Sequence, residues 1–236
     1  MIPLRDSIPS RSWPVVTYLL IGLNVWVFLY EVALGPDLDA FLRTWGLVPA
    51  DYFALARVPG AGAERYLPLL TSMFLHGGWL HLIGNMMYLW IFGDNVEDRL
   101  GHLRYLLFYL VTGLGAALVH AYLHPESTVP TLGASGAISG VLGGYLLLFP
   151  HARVLTLVPI VFIFVQIVEV PAVIYLGFWF LMQLVAGTLA FALADGAGGV
   201  AWWAHVGGFT VGLILVPLLL PRRSYPRVWR TEVGPW

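Results

Sequence analysis

The sequence predicts an all-α membrane protein that crosses the bilayer six times. Of its 236 residues, 59% are hydrophobic and only 11% are charged, whereas soluble domains carry about 25% charged residues. Crossing a bilayer takes about 20 apolar residues, so each long apolar run is interpreted as one transmembrane helix. These runs lie at about 14–34, 70–93, 103–123, 132–149, 171–193 and 201–220. No repeat or linker divides the chain, so we expect a single domain, residues 1–236.

The arginines predict the orientation of the bundle, because basic residues accumulate on the cytoplasmic side of membrane proteins. The chain has no lysine, and the arginines that flank the runs are Arg5, Arg11, Arg99, Arg104, Arg153, Arg222, Arg223, Arg227 and Arg230. They place both termini in the cytoplasm, with short tails at 1–13 and 221–236. The N-terminal tail leads straight into a full-length run, which indicates a retained first helix rather than a cleaved signal peptide.

A shorter apolar run at 154–168 is not expected to cross the membrane. It has fifteen residues, contains Pro159 and is rich in Val and Ile. A crossing here would put residues 135 and 205 on opposite sides. We therefore expect an interfacial or re-entrant segment, partly extended, on the cytoplasmic side of the bundle.

Composition also argues against several classes of function. The chain has no cysteine, so disulfides, thiolate nucleophiles and thiolate metal sites are excluded. The net charge of −1 predicts no nucleic-acid partner.

Polar side chains that lipid should not tolerate occur in three clusters. "FLHGGWLHLIGNMM" supplies His76, His81 and Asn85, "GASG" supplies Ser135, and "WWAHVGGFTVG" supplies His205. Each alone has an ordinary structural explanation: a serine often bonds its own helix, and His or Asn often bonds a neighbouring helix. Polar groups at membrane depth nevertheless mark functional sites when they coincide.

Two of these clusters are predicted to lie at the same depth. Ser135 precedes Pro150 by fifteen residues, about 22 Å of helix, which is less than the ~30 Å hydrocarbon core. His205 precedes Pro221 by sixteen residues on a helix that runs in the same direction. Both side chains should therefore lie below the outer surface. Irregular backbone before Ser135 is tolerated at that depth only where it is buried in protein or lines water, so we expect a water-filled cavity there.

These residue types suit nucleophilic catalysis. A serine is activated by a base, usually histidine, and the oxyanion of the tetrahedral intermediate needs hydrogen-bond donors. Asn85, His81 and the N–H at the start of the fourth helix could supply them. No acid is placed to orient His205, so the pair would be a dyad, and peptide hydrolysis fits it.

Metal and aspartyl mechanisms fit less well. His76, His81 and His205 could in principle bind a metal, but no carboxylate or thiolate joins them. No His-Glu-x-x-His motif is present and no pair of aspartates lies inside the runs. We expect neither a metal nor another cofactor.

The motifs "HGGWLHLIGN", "FGDNVEDRLG", "GASGAISG" and "AHVGGFTVG", spread over 76–212, resemble those of rhomboid intramembrane serine proteases. The resemblance implies a six-helix rhomboid bundle with Ser135 as nucleophile, His205 as general base, and Asn85, His81 and the Ser135 N–H as oxyanion hole. It implies structural roles for Glu97 and Arg99. It implies no cofactor, and single-span membrane proteins in the lipid bilayer as substrates. We expect the inner membrane of a prokaryotic cell.

The family packs its serine and histidine helices closely, which implies a role for the glycines of both helices. The candidates are Gly136, Gly140 and Gly144 on the fourth helix and Gly208 and Gly212 on the sixth. Small residues at this spacing let helix backbones approach.

Two positions depart from the family pattern. Ser139 stands where many members have an aromatic ring stacked on the catalytic histidine, and Arg65-Tyr66 only partly matches a Trp-Arg pair of the first loop. Two other functions stay open: a catalytically silent rhomboid-like protein that binds membrane clients, and a small transporter or channel whose polar groups line a path.

Overall fold

The chain folds mainly into helices. The computed structural model describes residues 1–161, 164–192 and 200–221. The helices are α1 Val15–Ala33, α2 Leu38–Trp45, α3 Pro49–Leu55, α4 Gly62–Thr71, α5 Trp79–Leu100, α6 His102–Leu123, α7 Ser135–Leu148, α8 Ala172–Ala192 and α9 Trp202–Leu219. The strands are β1 Ile2–Asp6, β2 Arg153–Val161 and β3 Phe164–Pro171.

Four helices in the described part of the chain, α1, α6, α8 and α9, are long and apolar enough to cross a membrane. Of the other two that occupy predicted spans, α7 is apolar but has only 14 residues, as the short distance from Ser135 to Pro150 predicts. The other of these two helices, α5, has 22 residues and ends in the charged sequence "DNVEDRL".

The predicted second span, 70–93, is wrong in its boundaries. The chain leaves α4 at Thr71, makes one 3₁₀ turn over Ser72–Phe74, runs irregularly to Gly78 and only then enters α5, which continues to Leu100. Gly77 and Gly78 disfavour a continuous helix there. At the other end, the charged turns stay helical because their polar groups have partners inside the protein.

Glu97 is the main such partner. Its carboxylate has no exposed surface and accepts hydrogen bonds from the Val16 and Thr17 N–H groups, both at 2.8 Å, and from the Thr17 hydroxyl at 2.7 Å. These are free N–H groups at the start of α1, where negative charge is also favoured. Glu97 thereby fixes the start of α1 to the end of α5, consistent with the structural role that the resemblance implies.

A three-stranded antiparallel sheet, in the order β1-β2-β3, is present in the described residues. The expectation of an all-α fold is wrong here, and the first residues are not simply a tail. Val, Ile and Thr favour extended chain, and Pro159 does not suit a helix interior. Strand β1 also reaches the helices, since the Tyr145 hydroxyl of α7 donates to Asp6 Oδ2 at 2.5 Å.

The hairpin of β2 and β3 confirms that the apolar run at 154–168 is partly extended. Arg153 pairs with Pro171, and the Ala172 N–H donates to the Ala152 carbonyl at 2.7 Å. The chain therefore enters α8 beside the point where it left α7. A segment that returns to its start makes no net crossing, as the sequence predicts.

Helix α7 lies at the centre of the bundle. Its residues are buried without interruption from Gly136 to Tyr145, and it packs against α5, α6, α8 and α9. Its most extensive contact is with α9, which brings together the helices that carry Ser135 and His205. The four C-terminal arginines and most of the predicted tail 221–236 lie outside the described residues.

Candidate active site

The structure places Ser135 and His205 in direct contact. Ser135 is the first residue of α7, and His205 lies in the first turn of α9. His205 Nε2 is 2.9 Å from Ser135 Oγ, a normal hydrogen-bond length. The imidazole is buried, whereas Ser135 is partly exposed. A hydroxyl that is open on one side and bonded to an imidazole on the other can be deprotonated as it attacks.

The other side of the imidazole is bonded too. His205 Nδ1 lies 2.8 Å from Gln183 Oε1 of α8. The Trp179 ring packs beside the imidazole, with centroids 5.9 Å apart, and the Trp202 ring meets it edge-on at 6.3 Å. Sequence reasoning missed all three residues. A glutamine inside the apolar run "FWFLMQLVAG" is the signal that could have identified one of them.

Ser139 takes no part in holding the imidazole. Its hydroxyl donates to the Ser135 carbonyl at 2.6 Å, the ordinary bond of a helical serine to its own backbone. The ring packing that the family pattern places at this position of the fourth helix comes here from Trp179 of α8 and Trp202 of α9.

Three hydrogen-bond donors border the loop that leads into Ser135. Asn85 Nδ2 is buried without a partner among the described residues. His81 Nδ1 accepts from the Gly77 N–H at 3.4 Å, which leaves the proton of a neutral ring on Nε2. A Cβ atom on Gly133 would lie 2.7 Å from His81 Nε2 and 3.5 Å from Asn85 Nδ2. Both side chains therefore border the Gly133–Ser135 loop, where φ of Gly133 is +120°.

The Ser135 N–H is the third donor. It begins α7, where helix N–H groups lack an intrahelical acceptor, and it bonds to no described residue. These three donors and the hydroxyl match what stabilises an oxyanion next to a nucleophile.

His76 plays a different part from His81. The His76 backbone N–H is 3.2 Å from both oxygens of Glu31, a buried residue of α1. The His76 ring packs edge-on against His81, with centroids 5.1 Å apart. His76 thus packs against His81 from the segment that leads into α5. Within the described residues, no group of three or more His, Cys, Asp or Glu side chains is arranged to hold a metal.

The glycines bring α7 and α9 together, and those of α7 also make room for α6. A Cβ on Gly208 would overlap the Gly136 carbonyl oxygen, and one on Gly212 would overlap the Gly140 carbonyl oxygen. A Cβ on Gly136 would instead meet Ala116 of α6 at 2.7 Å, and one on Gly140 would overlap Thr112 of α6.

The α7 stripe of Gly136, Gly140 and Gly144 therefore turns its missing side chains toward α6. The approach to α9 relies on Gly208, Gly212 and, on α7, Gly143, whose Cβ would overlap the Phe209 carbonyl. Close helix packing is observed: the backbones of Gly136 and Gly140 meet Gly208 and Gly212 at that interface, while their missing side chains make room for α6.

Arg65 organises the segment between α1 and α5. Its guanidinium lies 4.5 Å from the ring centre of Tyr52 and 4.9 Å from that of Tyr66, and its Nε donates to the Tyr52 carbonyl at 3.1 Å. The residue that only partly matches a family motif thus ties α4 to α3.

The Rhomboid domain family matches residues 63–222, which is more than half of the chain and includes Ser135, His205, Gln183, Asn85 and His81. The chain belongs to the rhomboid family. It is 31% identical over 206 residues to Rhomboid protein 1, mitochondrial, of Saccharomyces cerevisiae, covering 84% of this chain and 51% of that protein. It is 28% identical over 214 residues to Rhomboid protease AarA of Providencia stuartii, covering 85% and 70%.

A third relative, Rhomboid protease GluP of Bacillus subtilis, is 34% identical over 134 residues, covering 56% of this rhomboid and 24% of GluP. This rhomboid spans about half the length of the yeast relative and less of GluP. The relatives come from bacteria and, by their names, from mitochondria and chloroplasts. They support a membrane protein of the rhomboid family, but they do not support the predicted prokaryotic inner membrane.

Proposed function

We propose that this rhomboid is a serine endopeptidase that hydrolyses peptide bonds in or near the transmembrane segments of single-span membrane proteins. One observation carries the proposal: the 2.9 Å hydrogen bond between His205 Nε2 and Ser135 Oγ at the start of α7. The family membership and its named proteases support it.

In the proposed mechanism, Ser135 Oγ attacks the scissile carbonyl carbon while its proton passes to His205 Nε2. The carbonyl electrons move onto oxygen, and this oxyanion is stabilised by the Ser135 N–H, Asn85 Nδ2 and His81 Nε2–H. When the tetrahedral intermediate collapses, His205 returns the proton to the leaving amine. Water then hydrolyses the acyl-serine ester by the same steps, with His205 accepting its proton. No cofactor enters this scheme.

The proposed topology has six spans, α1 and α5 to α9, in a single domain with both termini in the cytoplasm. In this arrangement α5, α7 and α9 all run inward, so Asn85, Ser135 and His205 lie in the outer half of the membrane. The polar start of α7 then faces a water-filled cavity, which supplies the water that hydrolysis requires.

An activity assay with matched variants tests the proposal. The purified protein is reconstituted in lipid vesicles with a panel of single-span membrane proteins, and labelling of the serine by a fluorophosphonate probe is measured in parallel. We expect the wild type to cleave and to label, and Ser135→Ala and His205→Ala to do neither.

Ser139→Ala is the matched control, because it makes the same change one helical turn away and should keep activity. A well-folded Ser135→Ala protein that still cleaves would overturn the nucleophile assignment. A wild type that neither cleaves nor labels would favour a silent, client-binding rhomboid.

A further inference from the structure

Gln183 lies inside α8, far along the sequence from every motif of the site. It is 7% exposed in an otherwise apolar stretch, and its side chain touches the buried side of His205. We infer that Gln183 is a positioning residue, which selects the tautomer of His205 that can act as a base toward Ser135. The inference rests on the proposed function.

The orientation of the amide follows from its two contacts. Gln183 Nε2 lies 3.3 Å from the Trp179 carbonyl one turn back in α8, and Oε1 lies 2.8 Å from His205 Nδ1. A carbonyl can only accept a hydrogen bond, so the NH₂ group must be the atom that faces Trp179. The oxygen is then committed to His205.

The tautomer of His205 follows from the orientation of the amide. An amide oxygen has no proton to donate, so His205 Nδ1 must carry the hydrogen of this bond. In the neutral imidazole Nε2 is then unprotonated, and it is the nitrogen that faces Ser135 Oγ at 2.9 Å. Nε2 can therefore accept the hydroxyl proton at once.

The aromatic neighbours cannot make this selection. Trp179 and Trp202 limit the tilt of the imidazole, but packed rings contact both tautomers equally. Without an acceptor at Nδ1, the proton can move to Nε2, and such a ring cannot take the serine proton. Gln183 thus fixes the tautomer of His205, as an orienting carboxylate does in a catalytic triad. Unlike a carboxylate, it adds no charge to a buried site.

Nitrogen NMR of the ¹⁵N-histidine-labelled protein tests the inference directly. In the wild type we expect His205 to be protonated at Nδ1 and unprotonated at Nε2. In Gln183→Met, which keeps the side-chain length and offers only a weakly accepting sulfur, we expect a mixture of tautomers. A wild type with the proton on Nε2, or a Gln183→Met spectrum unchanged at His205, would overturn the inference.

Kinetics give the second readout. We expect Gln183→Met to lower kcat by about fivefold, the worth of one neutral hydrogen bond, and to leave KM unchanged. Gln183→Glu keeps an acceptor oxygen at the same reach, so it should recover most of that loss. Equal losses in both variants together with a raised KM would show that Gln183 serves packing alone.

The same substitution at the other glutamine is the control. Gln166 is exposed on β3, and Gln166→Met should match the wild type. If the wild type itself neither cleaves nor labels, the proposed function fails, and the NMR spectrum still decides the tautomer. If the wild type is active and Gln183→Met equals it, only the role of Gln183 fails.

Discussion

At the scale of single residues, the site depends on polar groups that the protein keeps unpaired or pairs only with one another. Asn85 Nδ2 is buried with no partner among the described residues. An unpaired buried donor costs about 1–3 kcal/mol of folding stability. Such a cost is tolerated where the donor gains a hydrogen-bond acceptor during the reaction. In the proposed mechanism that partner is the oxyanion, which does not exist until Ser135 attacks.

Asn85→Ala should therefore lower kcat more than it changes KM. Losing one oxyanion donor typically costs on the order of 10²–10³ in rate, and two donors remain here, so we expect the lower end of that range. Steady-state cleavage in vesicles measures both constants. Asn24→Ala is the control, since Asn24 is also buried but its amide nitrogen donates to the Leu20 carbonyl of its own helix. A raised KM with normal kcat would make Asn85 a docking residue.

Glu97 shows the opposite use of a buried polar group, because all its partners are present in the folded state. Glu97→Ala leaves the N–H groups of Val16 and Thr17 unpaired, and each loss costs about 1–3 kcal/mol. We expect a clear fall in the thermal unfolding midpoint, measured in detergent by circular dichroism. Glu169→Ala should change it little, because the 3.4 Å contact of Glu169 with Arg153 is exposed. Equal midpoints in the two variants would refute the anchoring role.

Sequence reasoning reached these residues unequally. Ser135, His205, Asn85 and His81 lie in recognisable motifs, and the depth of Ser135 and His205 follows from the lengths of their helices. Gln183 escaped because a single glutamine in an apolar run shows neither its partner nor its direction. Only the packing of α8 on α9 reveals that partner.

At the scale of elements, the contact between α7 and α9 is the most constrained. The Gly212 position faces the Gly140 carbonyl without room for a methyl group. Gly212→Ala should force the helices apart and lengthen the bond between Ser135 and His205.

We expect Gly212→Ala to lose at least tenfold in kcat and to unfold at lower temperature. Gly177→Ala on α8 is the matched control, because among the described residues no atom apart from the local helix backbone lies within 4 Å of its added Cβ. Full activity in Gly212→Ala would mean that the two helices do not pack in this way.

The sheet introduces a pH-dependent contact at the other end of α7. Burial raises the pKa of Asp6 from 3.8 to about 6, with Asp94 adding to the rise and the hydrogen bond from Tyr145 opposing it. The folded state thus binds the proton more tightly than the unfolded state does. This contribution to stability is full below about pH 4 and is lost as the pH rises through about 6.

We therefore expect the β1 amides to exchange hydrogen more slowly at pH 5 than at pH 7.5, after correction for intrinsic exchange rates. Asp6→Asn should remove that difference, since its amide does not titrate. Hydrogen exchange read by mass spectrometry measures the protection. Protection that rises from pH 5 to pH 7.5 would contradict the assigned sign.

At the scale of the whole molecule, hydropathy located the helices but not their exact ends or the sheet. Apolar runs report which residues avoid water, so α1, α6, α8 and α9 were found close to their observed bounds. The charged end of α5 was missed, because its polar groups are satisfied by tertiary contacts such as those of Glu97. Strand β1 was missed because its partner, β2, lies about 150 residues away.

The sidedness of the whole molecule rests on the hairpin. Arg153 and Pro171 pair across β2 and β3, so α7 ends and α8 begins on one side. With β1 in the same sheet, the N-terminal segment must share that side. Six spans then place the segment between α1 and α5, and the loop between α6 and α7, on the opposite side.

Single cysteines introduced into this cysteine-free chain can test this arrangement in sealed, oriented vesicles with a membrane-impermeant thiol reagent. Gln166 serves as the probe of the apolar run because it is exposed, whereas Val154 in the same run has no exposed surface. We expect Ser10→Cys and Gln166→Cys to label from one side, and Pro36→Cys and Glu126→Cys from the other. If residues 10 and 166 labelled from opposite sides, the sheet could not form. If residues 36 and 126 labelled from the side of residue 10, α1 would not cross the membrane as proposed, and the start of α7 would not lie near the opposite surface. Ser135 and His205 would then not share the proposed depth in the outer half of the membrane.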